Sequence, residues 1–252
     1  MTQFDTEVAV VTGASSGIGR ATAEAFAAAG ARVVVSDVNV EGGEETVARI
    51  EEAGGTAIFV ETDVTDDDAV AALVDTAVSE YGRLDFACNN AGIGGPQKPT
   101  ADLSADEWQG VVDVNLNGVW RSMRHEIPAM LDGDGGVVVN MASILGKVGF
   151  ANAAPYVAAK HGVLGLTKTA AIEYAEQGVR VNAVCPGFVD TPLLGEGGLD
   201  DPEARQGIES LHPMNRLGDV DEIASAVVWL CSDGASFTTG EALTVDGGYT
   251  SR

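Results

Sequence analysis

Short apolar runs and longer segments with helical spacing alternate along the whole chain. Val8, Ala9, Val10 and Val11 form one such run, closed by Thr12-Gly13, and predict a buried strand. An Ala-rich helix is predicted over 17–29, stopped by Gly30. The same rhythm predicts further strands over 32–36, 56–60, 84–88, 136–140, 180–184 and 242–245. Helices are predicted over 41–53 and 67–81, from 104 onward past Trp108 and Trp120, around Tyr156, and over 219–232. Strands separated by helices imply a parallel sheet covered on both faces. With right-handed crossovers this is a Rossmann-type, doubly wound α/β fold of seven predicted strands. No repeat, linker or composition break divides it, so residues 1–252 read as a single domain. The rhythm fails only over 187–218, which carries Gly195, Gly197, Gly198, Pro202 and Pro213. Insertions of that length are functional loops or lack fixed order.

Charge changes this picture. Thirty-eight acidic residues face 14 Lys and Arg, a formal net charge of -24. Such a surface repels nucleic acid and anionic membranes, so neither is expected as a partner. The acids are spread among periodic apolar segments, which argues for a folded protein with an acidic skin rather than disorder. The composition is like that of proteins from salt-accumulating microbes, although an acidic mesophile protein fits too. Cys88, Cys185 and Cys231 lie far apart with no paired spacing, so a zinc site or disulfide framework is not expected and a reducing cytoplasm is. His125, His161 and His212 show no ligand spacing, and no metal is expected. The polar, acidic start of the chain has no export-signal pattern, and no apolar run is long enough to span a membrane.

Three local patterns carry chemistry. Thr12-Gly13-Ala14-Ser15-Ser16-Gly17-Ile18-Gly19 joins the first strand to the first helix. Glycines there let a phosphate approach the backbone, and a helix N-terminus favours negative charge. The P-loop lysine is absent. Asp37 ends the second strand, where a carboxylate can bind a ribose diol and would repel a 2′-phosphate; an ordinary turn Asp is the alternative. This favours NAD(H) over NADP(H). Asp63 and Val64, after the third strand, are candidates to bracket the adenine. Finally, Tyr156 and Lys160 are four apart on a predicted helix and share a face. An ammonium beside a phenol favours phenolate and should lower the tyrosine pKa.

Taken together, these motifs resemble the short-chain dehydrogenase/reductase family, in its compact form. The likeness runs from Val8 to Asp246 and includes the glycine turn, Asn89-Asn90-Ala91-Gly92, Asn115, Ser143, Tyr156 with Lys160, Pro186-Gly187 and Asp246-Gly247-Gly248. It implies Tyr156 as general acid/base and Ser143 as the group that steadies the substrate oxygen. It implies Lys160 on the nicotinamide ribose and Asn115 holding a water that links Lys160 to solvent. The cofactor set it implies is Gly13, Ser15, Ser16, Gly17, Ile18, Gly19, Asp37, Asp63, Val64, Asn89, Ala91, Gly92, Tyr156, Lys160, Pro186, Gly187, Val189 and Thr191.

Residues 188–218 should then cover the substrate. The expected pocket is Gly94, Ser143, Leu145, Phe150, Phe188, Leu193, Leu194 and Met214, with Leu211 nearby. No Arg or Lys stands out as a dedicated carboxylate or phosphate clamp, although Lys98 and Lys147 lie nearby, which favours an uncharged alcohol or ketone. The expected reaction is NAD(H)-dependent interconversion of a secondary alcohol and a ketone. A 3-oxoacyl thioester reductase or a sugar 1-dehydrogenase are alternatives within the family, and a silent NAD-binding sensor or scaffold is one outside it. The resemblance also implies a homotetramer, packed through the helices around Trp108 and Tyr156 and through the last strand.

Overall fold

The computed structural model describes residues 3–195 and 201–251. Gly197 and Gly198 lie outside the described residues. Seven parallel strands form one sheet in the order β3-β2-β1-β4-β5-β6-β7. They are β1 Val8–Thr12, β2 Arg32–Asp37, β3 Thr56–Glu61, β4 Phe86–Asn89, β5 Gly136–Met141, β6 Val179–Pro186 and β7 Ala242–Val245. The longer helices between them are α1 Gly17–Ala28, α2 Val40–Glu52, α3 Asp67–Tyr81, α4 Ala105–Val112, α5 Gly118–Leu131 and α6 Ala154–Tyr174. After β6 come a single turn, α7 Pro192–Leu194, then α8 Pro202–Glu209 and α9 Val220–Cys231.

Period-two alternation divides each central strand between two cores. Ala9 and Val11 pack with Phe26, Ile223 and Leu230 on one face. Val8 and Val10 pack with Leu73, Met123, Ile127 and Val163 on the other. All five β1 residues are buried, as a strand covered on both faces requires. Burying each such valine contributes about 1.5–3 kcal/mol before entropy is counted.

The strand order reverses between β1 and β4, and a ligand crevice is expected at the carboxyl ends there. Three stretches differ from the sequence reading in ways that matter. β4 is shifted toward the C-terminus, so Asn89 is its last residue rather than part of the following loop. The helical region after Ser104 is not one helix: α4 and α5 are joined by a π-helical stretch, Asp113–Asn117. Such wide turns recur at functional sites, and this one holds Asn115. The segment over 187–218, predicted as irregular, contains α7 and α8, but neither buries a residue.

Candidate active site

A cleft of about 780 Å³ opens beside the carboxyl ends of β5 and β6. Ser143, Tyr156 and Lys160 all line it. Ser143 follows β5 in extended backbone, and its Oγ accepts from the Leu145 amide at 3.1 Å, capping the turn Ile144–Gly146. Pro155 lies in the first turn of α6, where its missing N–H costs nothing, and Tyr156 follows it. Lys160, one turn on, is buried. Its Nζ lies 5.5 Å from the Tyr156 ring centroid and donates to the Met141 carbonyl at 2.8 Å.

One expectation is corrected at this pair. Burial pushes the Tyr156 phenol above its ordinary value, and a hydrogen bond with Ser143 opposes only part of that rise. Burial also lowers Lys160 to about 8. Among the protein's own groups, desolvation is thus the largest influence on the phenol.

Asn115 lines the cleft but is fully buried. Its Nδ2 donates to the carbonyls of Ile93 (3.0 Å) and Val111 (2.9 Å), and its Oδ1 accepts from the Ile93 amide at 3.3 Å. The side chain therefore stitches the loop after β4 to the π-helical stretch.

The glycine turn lies beside this cleft. Gly13 has φ 64°, in the left-handed region, and a Cβ on Gly19 would sit 2.1 Å from the Gly13 carbonyl oxygen. Only glycine fits either position. α1 opens from Ser16 with no side-chain cap and no acid in its first turn. By contrast Asn39, Asp66, Ser104 and Asp219 cap α2, α3, α4 and α9, each of which has an acid in its first turn. In so acidic a chain, this start alone among those five keeps its amide groups and partial positive charge available to an outside anion. That fits a dinucleotide pyrophosphate. Asp37 sits beside it, accepting from the Ser15 amide at 2.9 Å through Oδ2 and from the Asn39 amide at 2.9 Å through Oδ1. Its two oxygens keep lone pairs for a ribose diol.

Ile18, Gly92, Pro186, Gly187, Val189 and Thr191 line the cleft with the catalytic candidates. Thr191 and Pro192 also reach Gly17 at the start of α1. Ala91 contributes its amide to Thr12 Oγ1 at 3.1 Å. Asp63 spends Oδ1 on the amide and hydroxyl of Thr65, and Val64 is buried beside Gly118.

Asn89 is not where it was expected. It is buried and donates to Glu126 Oε2 and Asn140 Oδ1, each at 3.0 Å, away from the cleft. Its neighbour Asn90 lines the cleft instead and donates to the carbonyls of Thr12 and Gly13, each at 3.0 Å. Adjacent residues of an extended chain point to opposite faces, so Asn89 turns away from the cleft and Asn90 toward it. Glu126, within α5, was not singled out at all; burial pushes its carboxyl up to about 7.

Gly94, Leu145, Phe150, Phe188, Leu193 and Leu194 all line the cleft, joined by Gly95, Pro96 and Ile208. Phe150 and Phe188 meet with ring centroids 5.9 Å apart. Met214 does not join them. It is 58% exposed and borders a neighbouring cavity of about 330 Å³ with His212 and Gly247. Leu211 lines neither cavity. Lys98 is paired with Glu107, and Lys147 donates to the Ala242 carbonyl at 2.6 Å and Thr244 Oγ1 at 2.5 Å. Both are committed elsewhere, so neither clamps an anion in the cleft. Among the described residues no group of three or more His, Cys, Asp or Glu is placed to hold a metal.

Known proteins agree with this architecture. A family model described as enoyl-(acyl carrier protein) reductase matches residues 13–250. A cyclohexanol dehydrogenase from Acinetobacter sp. (strain SE19) is 47% identical over 250 residues, covering 99% of this chain and 97% of the relative. A cis-4-hydroxycyclohexanecarboxylate dehydrogenase from Sinomonas cyclohexanicum is 47% identical over 247 residues, 98% of each chain. The crystal structure of levodione reductase superposes with a TM-score of 0.94 at 38% identity, covering 98% of this chain and 99% of that one. A tryptophan variant of actinorhodin polyketide ketoreductase, solved with NADPH, also reaches 0.94, at 40% identity over 100% of this chain and 99% of that one. The chain belongs to the short-chain dehydrogenase/reductase family, as an oxidoreductase acting on CH–OH groups.

Proposed function

We propose that this enzyme interconverts an uncharged alicyclic secondary alcohol and its ketone, with NAD(H) in preference to NADP(H). The observation that carries the reading is a polar floor, Ser143 and Tyr156, beneath a cover of Leu145, Phe150, Phe188, Leu193, Leu194 and Ile208. Two hydrogen-bonding groups can orient one oxygen while the apolar cover takes a ring. The relatives named for cyclohexanol and hydroxycyclohexanecarboxylate support the ring. The commitment of Lys98 and Lys147 to other partners speaks against an anionic or thioester handle.

Ser143 Oγ holds the substrate oxygen by a hydrogen bond. Tyr156 Oη exchanges the proton on that oxygen, accepting it in oxidation and donating it in reduction. When bound, the nicotinamide supplies the other half, accepting or returning hydride at the carbinol carbon. Because burial raises the phenol, Tyr156 is protonated at neutral pH, the form suited to donation. Lys160, at about 8, carries positive charge below that pH and is placed to hold the nicotinamide ribose while it favours ionisation of the phenol. Gly13 to Gly19 would hold the pyrophosphate, and Asp37 the adenosine ribose.

The acidic surface supports a salt-adapted protein, and three buried, unpaired cysteines support a reducing cytoplasm. Among the described residues no helix is long and apolar enough to cross a membrane. Exposed Trp108 on α4, Ile172 on α6 and Phe237 beside β7 support a homotetramer through those faces. The test is a panel of cyclohexanol, a sugar and a 3-hydroxyacyl thioester, each with NAD and NADP, at low and molar KCl, with light scattering of the same samples. Oxidation of cyclohexanol with NAD and stability that rises with KCl are expected. Preference for NADP, or for the thioester, would overturn the cofactor or substrate assignment, and a monomer at molar salt would overturn the tetramer.

A further inference from the structure

His212 lies outside the reacting groups, yet it touches both sides of the substrate cover. It is 3% exposed and follows the C-terminal end of α8. Its Nε2 accepts from the backbone amide of Phe188 at 3.3 Å. Its Nδ1 lies 3.1 Å from the Ile208 carbonyl, which can only accept, so Nδ1 carries the proton. Together these contacts define one neutral tautomer, donating through Nδ1 and accepting through Nε2. Phe188 and Ile208 both line the cleft, one from the end of β6 and the other from α8. The imidazole also stands at 90° to the Phe188 ring, with centroids 5.8 Å apart, and 5.5 Å from the Tyr249 ring. Gly187 keeps the approach open, since a Cβ there would come within 3.0 Å of Nε2.

We infer that His212 is a positioning residue for the substrate: its ring bridges Phe188 to α8 and so fixes the shape of the apolar cover. α8 buries no residue of its own, so it cannot be held by a core. The bridge reaches the main chain at Phe188 and not only its ring. It therefore sets where the Phe188 side chain enters the cleft. Losing the bridge should loosen substrate binding and leave the proton-handling groups intact, because Ser143 stands just after β5 and Tyr156 and Lys160 on α6.

Three variants separate the bridge from simple packing. His212→Phe keeps a ring and loses both hydrogen bonds. His212→Gln keeps an acceptor at the Nε2 position, and His212→Asn keeps a donor at the Nδ1 position but falls short of Phe188. The kinetic readout rests on the alcohol-oxidation reading of the cleft; hydrogen exchange at the Phe188 amide does not. We expect about a tenfold higher KM for cyclohexanol in His212→Phe and His212→Asn, with kcat within about twofold, as for loss of one net hydrogen bond. Their Phe188 amide should exchange about tenfold faster, while His212→Gln, which keeps the acceptor for that amide but loses the bond to Ile208, should hold the parent's exchange rate within about twofold and share the higher KM. The inference is overturned if His212→Phe keeps the parent's KM and exchange rate, if His212→Gln keeps the parent's KM, or if the Phe188 amide exchanges as fast in His212→Gln as in His212→Asn. Should His212→Phe fail to fold, the Gln and Asn pair decides. Should the parent not oxidise cyclohexanol, the proposed substrate falls, and exchange at Phe188 still decides the role of His212.

Discussion

The glycine turn before α1 and the segment after Gly187 border the same cleft but are held in opposite ways. In the turn, Asn90 bonds two successive carbonyls, Thr12 and Gly13, and Gly19 packs so closely that no side chain fits. Across the cleft, α7 and α8 bury nothing among the described residues. Phe188 and Asp190 exchange backbone bonds with Gly218 at 2.9 and 3.0 Å, Asp190 pairs with Arg205 on the surface at 2.5 Å, and His212 bridges beneath. Exposed pairs of that kind contribute at most about 1 kcal/mol. One wall is close-packed around the candidate reacting groups. The other, the proposed substrate cover, is lightly held, as expected of binding loops drawn from the low-stability end of a fold.

The contrast can be tested from both walls. Tyr156→Phe, on the rigid side, should lower kcat by about a thousandfold, the range for a lost acid/base group, while the melting temperature stays put. Retention of near-full turnover would remove Tyr156 from proton transfer.

Glu126 probes the layer beneath that wall. Its carboxyl is raised from 4.5 to about 7 by burial, with the Asn89 hydrogen bond opposing. Stability from this group is complete below the unfolded pKa and is lost as pH rises through about 7. Glu126→Gln cannot ionise, so against the parent it should gain up to about 3 kcal/mol between pH 5 and pH 8 in urea titrations. An equal difference at both pH values would show that the carboxyl does not titrate there.

Gly19→Ala should cost about 2 kcal/mol from overpacking and weaken NAD binding, read by thermal melts and dinucleotide titration. Leu193→Ala, on the light side, should change stability by less than about 0.5 kcal/mol while altering KM, because Leu193 is 42% exposed. A large loss of stability there would erase the distinction between the walls.

Much of the rigid wall was legible in the sequence, because it repeats a period. Strand and helix alternation predicts the sheet, and the glycine spacing places the phosphate turn. Ser143 follows a strand end and Tyr156 stands in the first turn of α6, with Lys160 one turn on. Errors arose where one residue of register matters or where no period exists. Asn89 and Asn90 are adjacent, and the apolar run before them does not mark which of the two faces the cleft. Met214 lies in the aperiodic stretch, and nothing in its neighbours tells which of two cavities it meets. Glu126 stands among Arg124 and His125 in an amphipathic helix and reads as a surface charge until the fold buries it. The raised Tyr156 pKa depends on burial depth, which spacing alone does not reveal.

The uncapped start of α1 also has a kinetic meaning. A dinucleotide is an anion, and it must approach a molecule of net charge -24 before it can reach those free amides. In dilute buffer the long-range field slows that encounter, while the helix start acts only at contact. Salt shortens the reach of the repulsion faster than it weakens the contact, since the Debye length falls to about 3 Å at 1 M. For this protein, raising ionic strength should quicken cofactor capture, the reverse of the usual rule for charge-steered ligands.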